Sequence, residues 1–423
     1  MFAGDDITKT TGLSYVVSSL MERFYDTGKY EISYVSLTGN DVTSHGLHAQ
    51  GDIFAEKFAD MKIYNAQLTA GKVDEFDKAI TEIRPTIIVS CHDPWILDQI
   101  AYSSMRETYV WIAYMPIEAP EYPETVMFPD RILSAKPRIS IKNIMSKSDA
   151  LIPYTPMGKS ALLNMGLNPT EHVYLGVDPA HMAGTAVSKL VAFDNKVSED
   201  TFIFMTMGLN HERKRIDKVV ESFSKFIIKV GTKSSNKYRL YMHTDTEART
   251  GGTDINSMAI SLGLQDYILR PAGYKAGVGV SQTELHKRYS ACDCYIGLPS
   301  GEGFGYGIAN AMMHGKPIIY IDYGGHVNYC STAGLSVRVN NFVYARNGYI
   351  KQAIADTDDA AKKMARMVSD TKTRDRLSYN ASNIAKNELY WDVVFPKFMN
   401  IVNQAVEKCK PRTDRQSMFR RII

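Results

Sequence analysis

Short apolar runs rich in Val, Ile and Tyr alternate along this chain with longer stretches whose apolar residues recur every three to four positions. In the first half the strand-like runs are YEISYVSL from Tyr30, PTIIVSC from Pro85, TYVWIAYM from Thr108, ALIPY from Ala150 and HVYLGV from His172. Helical patterns at 12–25, 73–83, 95–103 and 156–165 lie between most of them. In the second half the strands are TFIFMTMG from Thr201, YRLYMHT from Tyr238, DYILRP from Asp266, CDCYIGLP from Cys292 and KPIIYID from Lys316. Their partners are helices at 214–230, 254–262, 282–290 and 306–314. Strands separated by crossover helices pair in parallel, with the helices covering both sheet faces. The expected fold class is therefore α/β, as two doubly wound domains.

The length agrees with two cores, because 423 residues exceed the roughly 100–200 of an ordinary domain. The boundary falls where periodicity is lost, between Asp178 and Asp200. The expected division is 1–185, 195–385, a C-terminal helix at 386–410 and a basic tail at 411–423. That helix carries an apolar stripe of Val394, Phe398, Ile401, Val402 and Ala405, which must bury against something. The tail reads as solvated chain, with a contact to an anion or a membrane surface as the competing reading. A net charge of +3 does not by itself announce nucleic acid. Five cysteines, at 91, 292, 294, 330 and 409, form neither a disulfide framework nor a metal-ligand spacing. Cys292 and Cys294 read as small buried residues of one strand. No apolar run approaches the roughly 20 residues that span a bilayer, and no secretory leader is visible at the N-terminus. A cytoplasmic setting is the expectation.

Parallel sheets bind ligands at the carboxyl ends of their strands, where loops enter helices and unpaired N–H groups point outward. The stretch GEGFGYGIANAMMHGKP, 301–317, places four glycines (Gly301, Gly303, Gly305 and Gly307) around Glu302 and enters a helix near Phe304 or Tyr306. Glycines let a ligand approach the backbone, the helix start favours phosphate or hydroxyl groups, and Glu302 supplies an acceptor for sugar hydroxyls. Tight packing alone is the competing reading. A second loop, MGLNHERKRID, brings Arg213 and Lys214 to the first turn of a helix, where the dipole prefers acids. They face an anion there, or they are exposed residues paired with Asp217. A third loop, GDDITKTTGLSYVV, ends at Gly12.

The motifs together resemble the retaining GT-B glycosyltransferases of the family 4 type (glycosyl transferases group 1). GEGFGYGIANAMMHGKPIIYIDYGGHVNY is similar to the family's Glu-Gly-Phe-Gly signature. ELHKRYSACDCYIGLPS and GLNHERKRIDKVVESF resemble the segment before it and the phosphate loop with its helix. TGLSYVVSSL, SKSDALIPYTPMGKSALLNMGL and VYLGVD resemble first-half counterparts, in the family's order. The resemblance implies two Rossmann-like domains facing each other across a cleft, and a C-terminal helix that returns to the first. A nucleoside diphosphate sugar would serve as donor, with no cofactor or metal, and a glycan-type acceptor, lipid- or protein-linked included, would receive the sugar. By the same resemblance Arg213 and Lys214 grip the diphosphate, Gly12 lies under the phosphates, and Glu302 with Gly303, Phe304 and Gly305 holds the sugar. Tyr306, Asn210 and His243 line the donor side, His243 with turn chemistry at neighbouring Asp245 as the competing explanation.

Three departures from the family pattern stand out. Asn310 occupies the place of the second glutamate, eight positions after the first, that binds ribose hydroxyls. Leu209 stands where an arginine often follows the phosphate-loop glycine. After TYVWIAYM, where many members have a histidine, this chain reads YMPIEAPEYP, with Glu118 as the nearest polar candidate and His92, from the adjacent strand end, as another. The functional expectation is a retaining hexosyltransferase. The alternatives are a noncatalytic nucleotide-sugar or glycan-binding subunit, or an epimerase or phosphorylase on the same fold. His314 is expected to close its helix before Gly315.

Overall fold

The computed structural model describes residues 1–38, 44–66, 73–127, 138–231, 237–247, 251–271, 280–345 and 350–409. The chain divides into two compact units: Met1–Leu175 with Arg346–Ile350 and Val394–Ile423, and Gly176–Ala345 with Lys351–Val393. This division precedes the aperiodic stretch from Asp178 to Asp200. That stretch belongs to the second unit, where Lys189 Nζ reaches Asp293 Oδ2 at 2.7 Å.

The first unit contains β1 (Phe2–Gly4), β2 (Tyr34–Ser36), β3 (Ile63–Asn65), β4 (Ile87–Cys91), β5 (Val110–Met115), the hairpin β6 (Thr125–Met127) and β7 (Arg138–Ser140), and β8 (Ala150–Pro153). Its main sheet runs β3-β2-β1-β4-β5-β8 and is parallel throughout. The second unit adds β9 (Phe202–Met207), β10 (Tyr238–His243), β11 (Ile268–Leu269), β12 (Cys294–Gly297), β13 (Ile318–Ile321), β14 (Gly334–Val337) and the antiparallel hairpin β15 (Val339–Tyr344) with β16 (Lys351–Ala355). Its main sheet, β11-β10-β9-β12-β13-β14, repeats the same parallel order. Both orders are the Rossmann one, in which consecutive strands leave the first strand in opposite directions.

Helix packing explains why these segments fold as read. In the helix Ile216–Val230, Ile216, Val219, Val220, Phe223 and Phe226 are buried on one stripe. They pack with Phe204 of β9 and Ile296 of β12. Each such side chain contributes about 1.5–3 kcal/mol on burial. The stripe of the last helix, Trp391–Lys408, is buried within the first unit, where the Phe398 ring lies 5.0 Å from Tyr114 and 6.3 Å from Phe24.

Two expected strands need correction. His172–Val177 is not a strand: only Val177 pairs, as a bridge to Tyr390, with its N–H donating to Leu389 O at 2.8 Å. A Cβ at Gly176 would fall 2.0 Å from the buried Trp391 ring, so the segment bends around the indole instead of extending. Cys292 and Cys294 are both buried, but only Cys294 is in β12, and Cys292 caps the helix Gln282–Ala291. Among the described residues no helix is long and apolar enough to cross a membrane. The basic tail, 411–423, lies outside the described residues.

Candidate functional site

In the second unit the strand order reverses between β9 and β12, which are neighbours. Loops that leave such a pair part to opposite faces, and the crevice between them is the natural binding place of a doubly wound sheet. The loop after β9 carries Asn210, Arg213 and Lys214. The loop after β12 carries Glu302.

Contrary to the sequence expectation, Arg213 and Lys214 do not sit in the first turn of the helix. They form a separate 3-10 turn, Glu212–Lys214, and Arg215 then takes a left-handed conformation at φ 47° before the helix starts at Ile216. That residue turns the chain, so the two cations point back across the crevice. Lys214 Nζ donates to Glu302 Oε2. Arg213 Nη1 lies 3.5 Å from the same oxygen and donates to Gly301 O at 2.7 Å. The alternative partner, Asp217, is paired with Lys218 instead.

The Glu302 side chain is 13% exposed. Burial would push its carboxyl pKa up, but the charges of Lys214 and Arg213 and the hydrogen bond from Lys214 outweigh it and hold the value down at about 2. The group is an ionised acceptor at neutral pH. Its loop is strapped from three sides. Ser300 donates its N–H and hydroxyl to Arg213 O at 2.8 and 3.1 Å, Gly325 N–H donates to Glu302 O at 2.7 Å, and the Tyr329 hydroxyl donates to Phe304 O at 2.8 Å. Gly305 caps the helix Tyr306–Met313 at φ 98°, a conformation that favours glycine. Gly307 is required for close approach, since a Cβ there would lie 2.1 Å from the Tyr295 hydroxyl. Glu302, Gly303, Phe304, Gly305 and Tyr306 are thus one loop and helix start. A small cavity of about 40 Å³ opens on it, lined by Lys214, Glu302, Gly305, Gly307, Thr206 and Tyr295.

Other expected donor-side residues are engaged within the protein. Asn210 is buried, and its amide donates to Thr253 O at 2.6 Å and accepts from Thr253 N at 3.3 Å. His243 ends β10 with Nδ1 3.0 Å from the Tyr241 hydroxyl. Burial, aided by the charge of Arg288, holds its pKa down at about 4, so the ring is neutral at pH 7. Asp245 makes the turn read for it, accepting from Glu247 N at 3.1 Å. Asn310 lies on the helix Tyr306–Met313 and interacts with the buried Tyr289 hydroxyl. His314 ends that helix and its Nε2 meets His286 Nδ1 at 2.9 Å, with Gly315 at φ 64° following.

The first unit has its own switch point, between β1 and β4. Gly12 opens the helix Gly12–Asp26, capped by Thr11, whose hydroxyl accepts from Ser14 N at 3.1 Å and donates to Asp5 Oδ2 at 2.8 Å. From the neighbouring β4, His92 is buried with Nδ1 accepting from Asp93 N at 2.7 Å. Burial holds its pKa at about 4, against the pull of Asp5. Glu118 is partly exposed in the loop after β5. Glu118 and Gly12 belong to the first unit.

Sequence reasoning missed Ser300, Tyr329 and His326. Ser300 acts through its backbone and hydroxyl and carries no pattern. The strap from Tyr329 and Gly325 depends on β13 returning beside β12, which only tertiary structure reveals. Among the described residues no group of three or more His, Cys, Asp or Glu side chains is arranged to hold a metal ion.

Residues 275–384 match the family model described as glycosyl transferases group 1. The matched segment includes the Glu302 loop and its helix. No curated protein matches the chain significantly in sequence. Among solved structures, Anabaena HepE in complex with UDP and glucose is similar with a TM-score of 0.67 at 12% identity, over 95% of this chain and 99% of that one. Sucrose-phosphate synthase from Thermosynechococcus elongatus gives 0.66 at 14% identity, over 95% and 98%. A glycosyltransferase from Rickettsia africae gives 0.65 at 13%, over 96% and 98%. Likeness at these identities shows the fold: two Rossmann-like units of the GT-B class.

Proposed function

We propose that this chain is a glycosyltransferase that moves a hexosyl group from a nucleoside diphosphate sugar to a glycan-type acceptor, with retention of anomeric configuration and without a metal or cofactor. The observation that carries the reading is the convergence of Arg213 and Lys214 on Glu302, beside a glycine-lined helix start at the switch point of the sheet. Two cations that share one carboxylate suit a diphosphate. As the glycosyl bond breaks, negative charge grows on the leaving phosphate, and preorganised cations there lower the barrier. Glu302, ionised and strapped by Gly325, would accept hydrogen bonds from donor-sugar hydroxyls. The glycine backbone lets that sugar approach closely. The matched family segment and the UDP-bound neighbour support a nucleotide sugar as donor.

The test is a panel of UDP-, GDP- and dTDP-sugars, with slow donor hydrolysis followed by phosphorus NMR and the anomeric proton coupling of the released sugar read directly. We expect hydrolysis of at least one donor with retained configuration. A donor that binds but is never turned over with any acceptor would sink the enzyme reading in favour of a noncatalytic binder.

A further inference from the structure

His326 stands beside the Glu302 loop and is fully buried, at 0% exposed. It follows the glycine pair Gly324 and Gly325, the first at φ 109° and the second donating its N–H to Glu302 O at 2.7 Å. A carbonyl can only accept, so the contact of His326 Nε2 with Ile321 O at 3.0 Å places the ring proton on Nε2. Nδ1 is left as a bare lone pair, and it has no hydrogen-bond partner among the described residues. An unsatisfied buried acceptor of this kind costs about 1–3 kcal/mol. The ring packs against the loop it would serve, since the Cβ position of Gly305 is 3.6 Å from His326 Cβ and that of Gly324 is 3.4 Å from Cε1.

The ionisable groups around the ring come from each packed element. They are Glu302 of the glycine loop, Lys214 of the basic turn and Asp322 after β13. The Tyr320 ring of β13 stands edge-on at 5.9 Å. In the resting protein Lys214 and Arg213 already compensate Glu302. Burial keeps the imidazole neutral, lowering its pKa against the opposing pull of Glu302, and Lys214 adds to the lowering.

We infer that His326 is a positioning residue that replaces Lys214 and Arg213 as the counter-charge of Glu302 when a diphosphate draws those two cations away. This rests on the donor reading above. A buried carboxylate stripped of its partners is costly, by several kcal/mol per ion. It can be relieved in two ways. A proton on Glu302 itself would convert the sugar-binding acceptor into a hydroxyl donor. A proton taken from solvent onto the free Nδ1 lone pair gives an imidazolium beside the loop and leaves Glu302 ionised. The vacant Nδ1 makes the second route available without breaking the bond to Ile321. The proton returns to solvent when the nucleotide leaves and Lys214 rejoins Glu302.

The test follows the His326 ring Cε1–H signal by NMR from pH 4 to 8, assigned by its loss in His326→Gln, which keeps a donor for Ile321 O. In the full-length wild type the ring titrates below the ordinary imidazole range. In Lys214→Met, which removes one cation without any ligand, the midpoint rises by at least one pH unit. Saturating UDP-glucose raises it likewise in the wild type, and UDP-glucose affinity then weakens up to tenfold per pH unit between the ligand-free and the ligand-bound midpoints and levels off above the latter, a slope absent in His326→Gln. An unchanged midpoint in Lys214→Met overturns the inference, as does UDP-glucose that binds without moving the titration. Failure of any nucleotide sugar to bind would count against the donor reading alone, and the Lys214→Met titration would still decide the role of His326.

Discussion

Lys214 Nζ donates to Glu302 Oε2 across 88 positions of sequence, joining the loop after β9 to the loop after β12 at the switch point of the second sheet. The cation proposed for a phosphate is thus held by the carboxylate proposed for a sugar hydroxyl. Under the proposed function, donor binding is an exchange of partners. The pair keeps each charge compensated, and under the proposed function its separation would present both groups to the two ends of one glycosyl phosphate. Gly208, at φ 143°, lies under the Lys214 stem, whose Cδ is 3.6 Å from the glycine's Cβ position.

Replacing Lys214 by Met is expected to lower donor turnover by about 10²–10³, the loss of one preorganised charge-stabilising group. The fold should survive, because Arg213 remains within 3.5 Å of Glu302. Steady-state donor hydrolysis with circular dichroism as a control checks this. A turnover rate equal to wild type would remove Lys214 from the phosphate site.

Glu302→Gln should remove a pH-dependent part of the stability. The carboxyl pKa is about 2 in the folded chain against 4.5 ordinarily, so its contribution is fully present above pH 4.5 and is lost as the pH falls toward 2. The shift corresponds to at most about 3 kcal/mol. Urea midpoints of the two proteins should therefore differ most at pH 6–7 and converge near pH 2–3. A gap that stays constant over that range would mean the carboxylate charge is not what Lys214 and Arg213 stabilise.

Much of this arrangement is legible in the sequence, and the remainder has identifiable causes. β9, β12 and β13 are continuous apolar runs, and the glycine loop ends one of them, so its place at the carboxyl edge follows from pattern alone. β1 escapes because Phe2–Gly4 is too short to show a period, although it pairs on both sides in the first sheet. The basic loop is recognisable, but its geometry depends on Arg215 in a left-handed conformation, which a non-glycine residue does not announce. Asn210, expected on the donor side, holds the Thr253 backbone through its amide, a contact no sequence pattern reveals. His326 carries no signal at all. Its meaning comes from the glycine pair before it folding onto Glu302.

Gly307→Ala is expected to destabilise the second unit by about 1–3 kcal/mol through overpacking. Its Cβ would stand 2.1 Å from the Tyr295 hydroxyl and 2.9 Å from Cζ, and Tyr295 is buried at 3% exposure. Combining it with Tyr295→Phe removes the nearer atom but not the ring carbon, so partial rescue is the expected result. Thermal unfolding of the four proteins measures the coupling. Strict additivity would show that the helix start shifts away from Tyr295 instead of being pinned against it.

Asn310→Glu tests the most conspicuous departure in the glycine-loop helix. Asn310 is only partly buried and interacts with the Tyr289 hydroxyl, whose own pKa is driven well above its ordinary value by burial in the first place. Tyr289 remains a donor at every working pH. The Tyr289 hydroxyl donates to Met207 Sδ, so a carboxylate at 310 gives up the amide's donor toward Tyr289 and offers its oxygens to a ribose hydroxyl, as acceptors stronger than the amide carbonyl they replace. The expected change is a tightening of UDP binding by about 1 kcal/mol, roughly fivefold, read by calorimetry at pH 7. Unchanged or weakened binding, in a variant that unfolds at the wild-type temperature, would mean that the ribose lies away from this helix and that Asn310 serves only to hold Tyr289 in the core.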